Sequence, residues 1–107
     1  LGGILFEQIM QQRPAVDAIF FCNDDLAQGA LMAALRLGIA VPSQVAIAGF
    51  NDLTGSDQML PTLTTVRTPR AQIGEAAAQM LLSLMRGDEP AAPQLDLGFD
   101  ILQRQSS

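Results

Sequence analysis

VDAIFFCNDD (Val16–Asp25) and VAIAGFND (Val45–Asp52) decide the fold of this chain. Each is an apolar run of strand length that ends in an Asn-Asp pair. A run without polar alternation is how a strand reads when both its faces are covered, as in parallel sheets. Asn23-Asp24-Asp25 reads as a turn and helix start, because short carboxamides and carboxylates accept the unpaired N–H groups of a first turn. Leu26–Leu37 follows as a helix, with Gly38 as the residue that closes it. Strand 16–22, helix 26–37 and strand 45–50 make one βαβ unit, whose crossover is expected to be right-handed.

Outward from that unit, residues 4–12 place apolar side chains at 5, 6, 9 and 10, which is helical spacing, and Pro14 ends that helix. Gly2-Gly3 carries no motif by itself. Residues 51–62 are rich in Asn, Asp, Gly, Ser and Pro and read as a loop. Thr64–Thr68 is a brief extended segment. Thr68 and Pro69 form an expected N-cap and first-turn pair. The helix over 69–86 sets Ile73, Ala77, Met80, Leu81, Leu84 and Met85 on one side and closes at Gly87. Gln94–Leu97 and Phe99–Leu102 are two short strand candidates. The class is therefore α/β, built on a parallel sheet. Three helices with apolar faces need more sheet than two clear parallel strands supply, so the chain is expected to be part of a larger protein. It also opens without an initiator Met.

Composition narrows the function. The 107 residues are 49% hydrophobic and 16% charged, which is a globular balance. Apolar stretches are interrupted by Arg36, Gln44 and Gln79, too often for a span of about 20 apolar residues, so no membrane partner is expected. No secretory signal is visible at the N-terminus. Six basic residues, all arginine, against 11 acidic ones give a net charge of −5, which repels phosphate and argues against direct nucleic-acid binding by this segment. The single cysteine, Cys22, reads as a buried strand thiol beside Phe20 and Phe21, in keeping with a reducing cytoplasm. Histidine and lysine are both absent from the chain, and it has no phosphate-binding glycine motif. That removes phospho-receiver chemistry, and neither a metal nor another cofactor is expected. An enzyme using Asp24 or Asp52 as general base has no nucleophile or partner group to support it.

The positions left to carry function lie at the strand ends. If the two strands are sheet neighbours, Asn23-Asp24 and Asn51-Asp52 rise from the same carboxyl edge, where parallel α/β sheets bind ligands. Amides suit hydroxyl-rich ligands, because one side chain can both donate and accept. Asn23 and Asn51 are the leading ligand contacts, with Asp24 a further candidate and Phe50 a possible wall of the site. The competing reading makes Asp25 or Asp24 a helix cap, Asp52 a turn organiser and Phe50 core. The helix at 26–37 is apolar on nearly all sides and so must be covered on nearly all sides. One face meets the sheet. Ala27, Gln28, Ala30, Leu31 and Ala34, with Met59 and Leu60 from the loop, are the candidates for a face against a second subunit. The alternative cover is more of the same chain.

Several stretches together resemble the LacI/GalR family of bacterial repressors: Asp17–Ala30, Gly38–Pro42, Val45–Asp52, Pro61–Val66 and Ile73-Gly74, in that order and spacing. The wording CNDDLAQGAL and AIAGFNDL is similar to the gluconate-repressor branch. The resemblance implies a periplasmic-binding-protein-like core of two three-layer α/β lobes, of which this chain is a C-terminal part. Residues 1–65 would belong mostly to the C-terminal lobe, 66–98 to the other lobe, and 99–107 to a returning strand and tail. A sugar or sugar acid, gluconate among them, would be the effector, held in a cleft. The protein would be a cytoplasmic homodimer acting on operator DNA through an N-terminal headpiece outside this sequence. Asn23 matches a family effector contact. Asn51 stands where the family usually has an aspartate, a neutral amide in place of a carboxylate, which suits an anionic ligand. A secreted sugar-binding protein of a transport system shares the fold and is the rival reading.

Overall fold

The computed structural model describes residues 1–89 and 92–107. They divide into two units, Leu1–Arg67 with Asp100–Ser107, and Thr68–Phe99. The first unit holds α1 (Gly2–Gln12), β1 (Ala18–Phe20), α2 (Asp24–Leu37), β2 (Ala46–Phe50), a short 3-10 turn (Ser56–Gln58), β3 (Thr64–Arg67) and β4 (Asp100–Leu102). Its sheet has the order β1-β2-β3-β4. β1, β2 and β3 run parallel, with Ala18↔Ala46 and Ala48↔Thr64 in register, while β4 is antiparallel to β3 through Thr65↔Leu102. The extended segment expected after the loop is thus a full member of the parallel sheet.

Helix α2 begins and ends for local reasons. Asn23, in extended backbone, accepts the Leu26 N–H at 2.9 Å, and Gly38 closes the helix in the left-handed region at φ 68°. The expected cap was Asp25 or Asp24; the side chain that does it is Asn23. A carboxamide oxygen one residue earlier sits at the right height for the third helical N–H.

Phe6 of α1, Leu31 of α2, Ile47 of β2 and Leu63 form the fully buried centre. Burial of side chains of this size stabilises by about 1.5–3 kcal/mol each. α1 lies on α2 at close range: a Cβ at Gly2 would overlap the Leu26 carbonyl, so only glycine permits this approach. Arg36 and Glu7 pair across the same crossing. The Gly2-Gly3 pair, without meaning as a motif, is thus a packing device.

That crossing corrects the expected subunit face. Ala27, Ala30, Leu31 and Ala34 are buried within the chain, because α1 covers the second face of α2. Gln28 is half-buried and donates to Thr54 O and Ser56 Oγ, and Met59 packs against the core. Of the seven candidates only Leu60 is widely exposed. The large apolar groups that α2 does present are Met32, Leu35 and Leu37. Leu35 (70% exposed) and Leu60 (74%) flank a groove of about 300 Å³ floored by Leu31 and Ala34 and closed by Ile39 and Val41.

The sheet also departs from the reading of both faces as covered. α2 lies on the side of Ile47 and Gly49, where a Gly49 Cβ would meet Ala27. Strand alternation puts Phe20 (63% exposed) and Ile101 (70%) on the opposite side, uncovered at these two positions. β1 is an edge strand three residues long, and Cys22 lies past its end and is exposed rather than buried.

The second unit is built on α3 (Arg70–Met85), none of whose residues is buried. Its apolar side is exposed at Ile73, Leu81, Leu84 and Met85. Pro69 takes the cap position without a side-chain bond, so the expected cap by Thr68 is not made. Gly87, at φ 85°, follows the helix as expected. Gln94–Leu97 is not a strand, and of Phe99–Leu102 only Asp100–Leu102 pairs.

Candidate functional site

The carboxyl edge of the first unit is where the chain concentrates polar side chains. β1 and β2 are parallel neighbours, and Asn23 and Asn51 each stand three residues past the register pair Phe20↔Ala48. Adjacent strands lie about 4.8 Å apart, so the two corners rise side by side from one rim. Both asparagines are half-buried. Phe50, also half-buried, alternates with Ile47 and Gly49 and so belongs to the sheet side away from α2.

The two amides are not in the same state. Asn23 spends its carbonyl oxygen on the α2 N-cap and keeps two N–H donors. Asn51 sits at φ 99° and Asp52 at φ 50°, both outside the ordinary region for residues with a Cβ. The Asn51 backbone N–H donates to Val66 O at 2.8 Å and so extends the β2–β3 ladder by one bond. Among the described residues its side chain takes no hydrogen-bond partner, leaving both donor and acceptor capacity.

Asp24 leaves the ligand-facing set. It is 0% exposed, its Oδ2 accepts from the Leu53 N–H (2.8 Å) and the Ser56 hydroxyl (2.5 Å), and its Oδ1 accepts from the Thr65 hydroxyl (2.6 Å). A fully engaged, enclosed carboxylate meets no ligand. Gly49 makes this possible, since a Cβ there would overlap Oδ1.

Asp52 also works within the chain. Arg67 Nε and Arg104 reach its two oxygens at 2.9 and 2.8 Å. Desolvation, the largest single influence, raises its pKa, but the hydrogen bonds and charges of Arg104 and Arg67 together outweigh it and hold the carboxyl below 3.8. Arg104 also anchors the tail to the start of β3, its guanidinium donating to Leu63 O and its backbone N–H to Thr64 Oγ1. Beside it Ser106, fully buried, donates to Ile47 O and accepts from the Thr64 N–H. Sequence reasoning missed both residues. Their signal, an Arg and a Ser in a polar tail, is indistinguishable from solvated residues until the tail is seen against β2 and β3.

The geometry is that of an α/β sheet whose parallel strand ends offer two amides at one rim. A family model, the periplasmic binding protein-like domain, matches residues 4–107. The chain belongs to that family. Among its relatives, the HTH-type transcriptional regulator GntR of Pseudomonas aeruginosa is 54% identical over 107 residues, which is all of this chain and 31% of that protein. The crystal structure of the transcription regulator GntR from Chromobacterium violaceum superposes with a TM-score of 0.92 at 52% identity, covering 99% of this chain and 39% of that one. A LacI family transcriptional regulator from Lactobacillus casei, solved with bound sucrose, gives 0.82 at 29% identity over 99% of this chain and 39% of that one. This periplasmic binding protein-like domain thus falls among LacI-family regulators, on the side of GntR, and spans about a third of the length of the curated relatives it matches. No helix among the described residues is long and apolar enough to cross a membrane.

Proposed function

We propose that the chain is the effector-sensing part of a bacterial transcription repressor, and that it binds a sugar or sugar acid at the rim formed by Asn23 and Asn51. The first unit would be most of the C-terminal lobe and the second a segment of the other lobe. The observation that carries the reading is Asn51: a non-glycine residue at φ 99° with an unclaimed carboxamide, beside a second amide on the ligand-binding edge of a parallel sheet. Strained backbone costs about 1–3 kcal/mol and gathers at functional sites. Asn23 would donate to the ligand and Asn51 would both donate and accept, a set that fits polyol hydroxyls. A neutral amide at Asn51 leaves room for a carboxylate on the ligand, which makes gluconate the first candidate. The LacI family regulator solved with bound sucrose supports the same ligand class.

Effector binding would shift the full-length protein between two states whose headpieces differ in operator affinity, a coupling of typically 1–3 kcal/mol. The working form would be a cytoplasmic homodimer, with Met32, Leu35 and Leu60 in its interface. The relatives are regulators rather than enzymes or transport proteins, so the regulatory reading stands ahead of both rivals. Calorimetric titration of the full-length protein with gluconate and neutral sugars tests it. Saturable binding that Asn51→Ala weakens at least tenfold is expected; undiminished binding by both Asn23→Ala and Asn51→Ala rules the site out.

A further inference from the structure

Asp24 has no place in the proposed ligand contacts, yet its buried carboxylate accepts three hydrogen bonds beside them. Its partners lie just after Asn51 in the chain. Oδ2 takes the Leu53 N–H directly, and Oδ1 takes the Thr65 hydroxyl, whose oxygen in turn accepts the Asp52 N–H at 3.3 Å. Ser56, which donates to Oδ2, accepts from Gln28 of α2. The two peptide N–H groups that follow Asn51 are therefore fixed to one buried carboxylate, one directly and one through a hydroxyl. A residue with a Cβ stays at φ 99° only where its surroundings over-determine it. This network is the over-determination, and it joins the α2 start, the β2 corner and β3 at a single group.

We propose that Asp24 is a positioning residue: it holds the 51–53 corner in its strained form and so presents the Asn51 amide to a polyol or sugar-acid ligand, without touching that ligand. The inference rests on the function proposed above. A purely structural Asp24 would stabilise the fold but would not be coupled to Asn51 in ligand affinity.

The test is a double-mutant cycle on the full-length protein, with D-gluconate as the calorimetric probe and near-ultraviolet circular dichroism to verify folding. Asp24→Asn keeps the shape but turns one acceptor into a donor facing donors. Its gluconate affinity is expected to fall about tenfold, and the double variant Asp24→Asn/Asn51→Ala should bind no more weakly than Asn51→Ala alone. If the two losses add in full, or Asp24→Asn binds like the parent, Asp24 does not act through Asn51 and the inference fails. If Asn51→Ala itself binds like the parent, the site reading fails first and takes the inference with it.

Should Asp24→Asn not fold, Thr65→Val removes only the hydroxyl link to the Asp52 N–H. It should lose affinity several-fold and Thr65→Ser should restore it. A Thr65→Val protein with parent affinity overturns the proposal. Hydrogen exchange without ligand gives a separate readout: the Leu53 amide should lose protection in Asp24→Asn while amides of α3 keep theirs, and unchanged protection at Leu53 is equally fatal.

Discussion

Asn23 and Asn51 are the same residue at the same height on neighbouring parallel strands, and the fold uses them differently. Asn23 lies in relaxed extended backbone, φ −154°, and its side chain serves the helix that follows. Asn51 is followed by no helix. Its backbone is turned into the left-handed half of conformational space and held there by groups elsewhere in the chain. The first corner is satisfied locally, by residues three apart; the second depends on partners up to 52 residues away, such as Arg104 on Asp52. A local corner is stable by itself and spends its carbonyl oxygen on being so, keeping only N–H donors. A corner assembled from distant parts leaves a polar side chain unspent.

The largest expected effect strikes the root of the second corner. Gly49→Ala places a methyl group against Asp24 and should destabilise by about 3 kcal/mol or more, because neither strand backbone nor a triply bonded carboxylate can yield cheaply. Urea unfolding of the full-length protein reads it. A loss under 1 kcal/mol would mean that Asp24 is loosely held and the contrast between the corners is overstated. Next comes Asn51 itself. Asn51→Gly should raise stability by up to about 1 kcal/mol, since glycine adopts φ 99° without strain, while weakening gluconate binding at least tenfold. Stability and affinity moving together would show that the strain is not tied to function.

Asn23 sharpens the comparison from the other side. Asn23→Ala should cost about 1 kcal/mol through the lost cap. Asn23→Asp keeps the capping oxygen but removes both N–H donors, so it should retain stability and lose ligand affinity. If Asn23→Asp binds gluconate as well as the parent, Asn23 is a cap and nothing more, and Asn51 carries the rim alone.

The division between what the sequence disclosed and what it withheld follows the same line. Elements whose signals are local were legible: α1 to Pro14, α2 to Gly38, β2, and the shared rim, which needed only two apolar runs ending in Asn-Asp. Features that depend on distant chain were not. The burial of Ala27, Ala30 and Ala34 requires knowing that α1 crosses α2 at Gly2, and helical periodicity says which residues share a face but not what covers it. Asp24 looked like ligand or cap because its partners, Thr65 and Ser56, are 41 and 32 residues off. Cys22 read as buried because an apolar neighbourhood in sequence does not reveal that its strand is short and lies at the sheet edge.

The smallest effect concerns the clasp that stiffens the second corner from outside. Asp52 titrates below its ordinary value of 3.8 in the folded chain, so its pairing with Arg104 and Arg67 stabilises fully above the unfolded value of about 3.9 and is lost as the pH falls through the lower folded value. The sign is that of a depressed carboxyl: no change from pH 7 to pH 5, then a decline. Asp52→Asn should therefore be less stable than the parent at pH 7 by under about 1 kcal/mol, a partly solvated pair being worth little. That gap should narrow at pH 3. The first corner has no such clasp, so Asn23 variants should show the same deficit at both pH values. A deficit of Asp52→Asn that is equally indifferent to pH would mean that the carboxylate acts through shape and hydrogen-bond geometry, and that the second corner is held by Asp24 without electrostatic help from its rim.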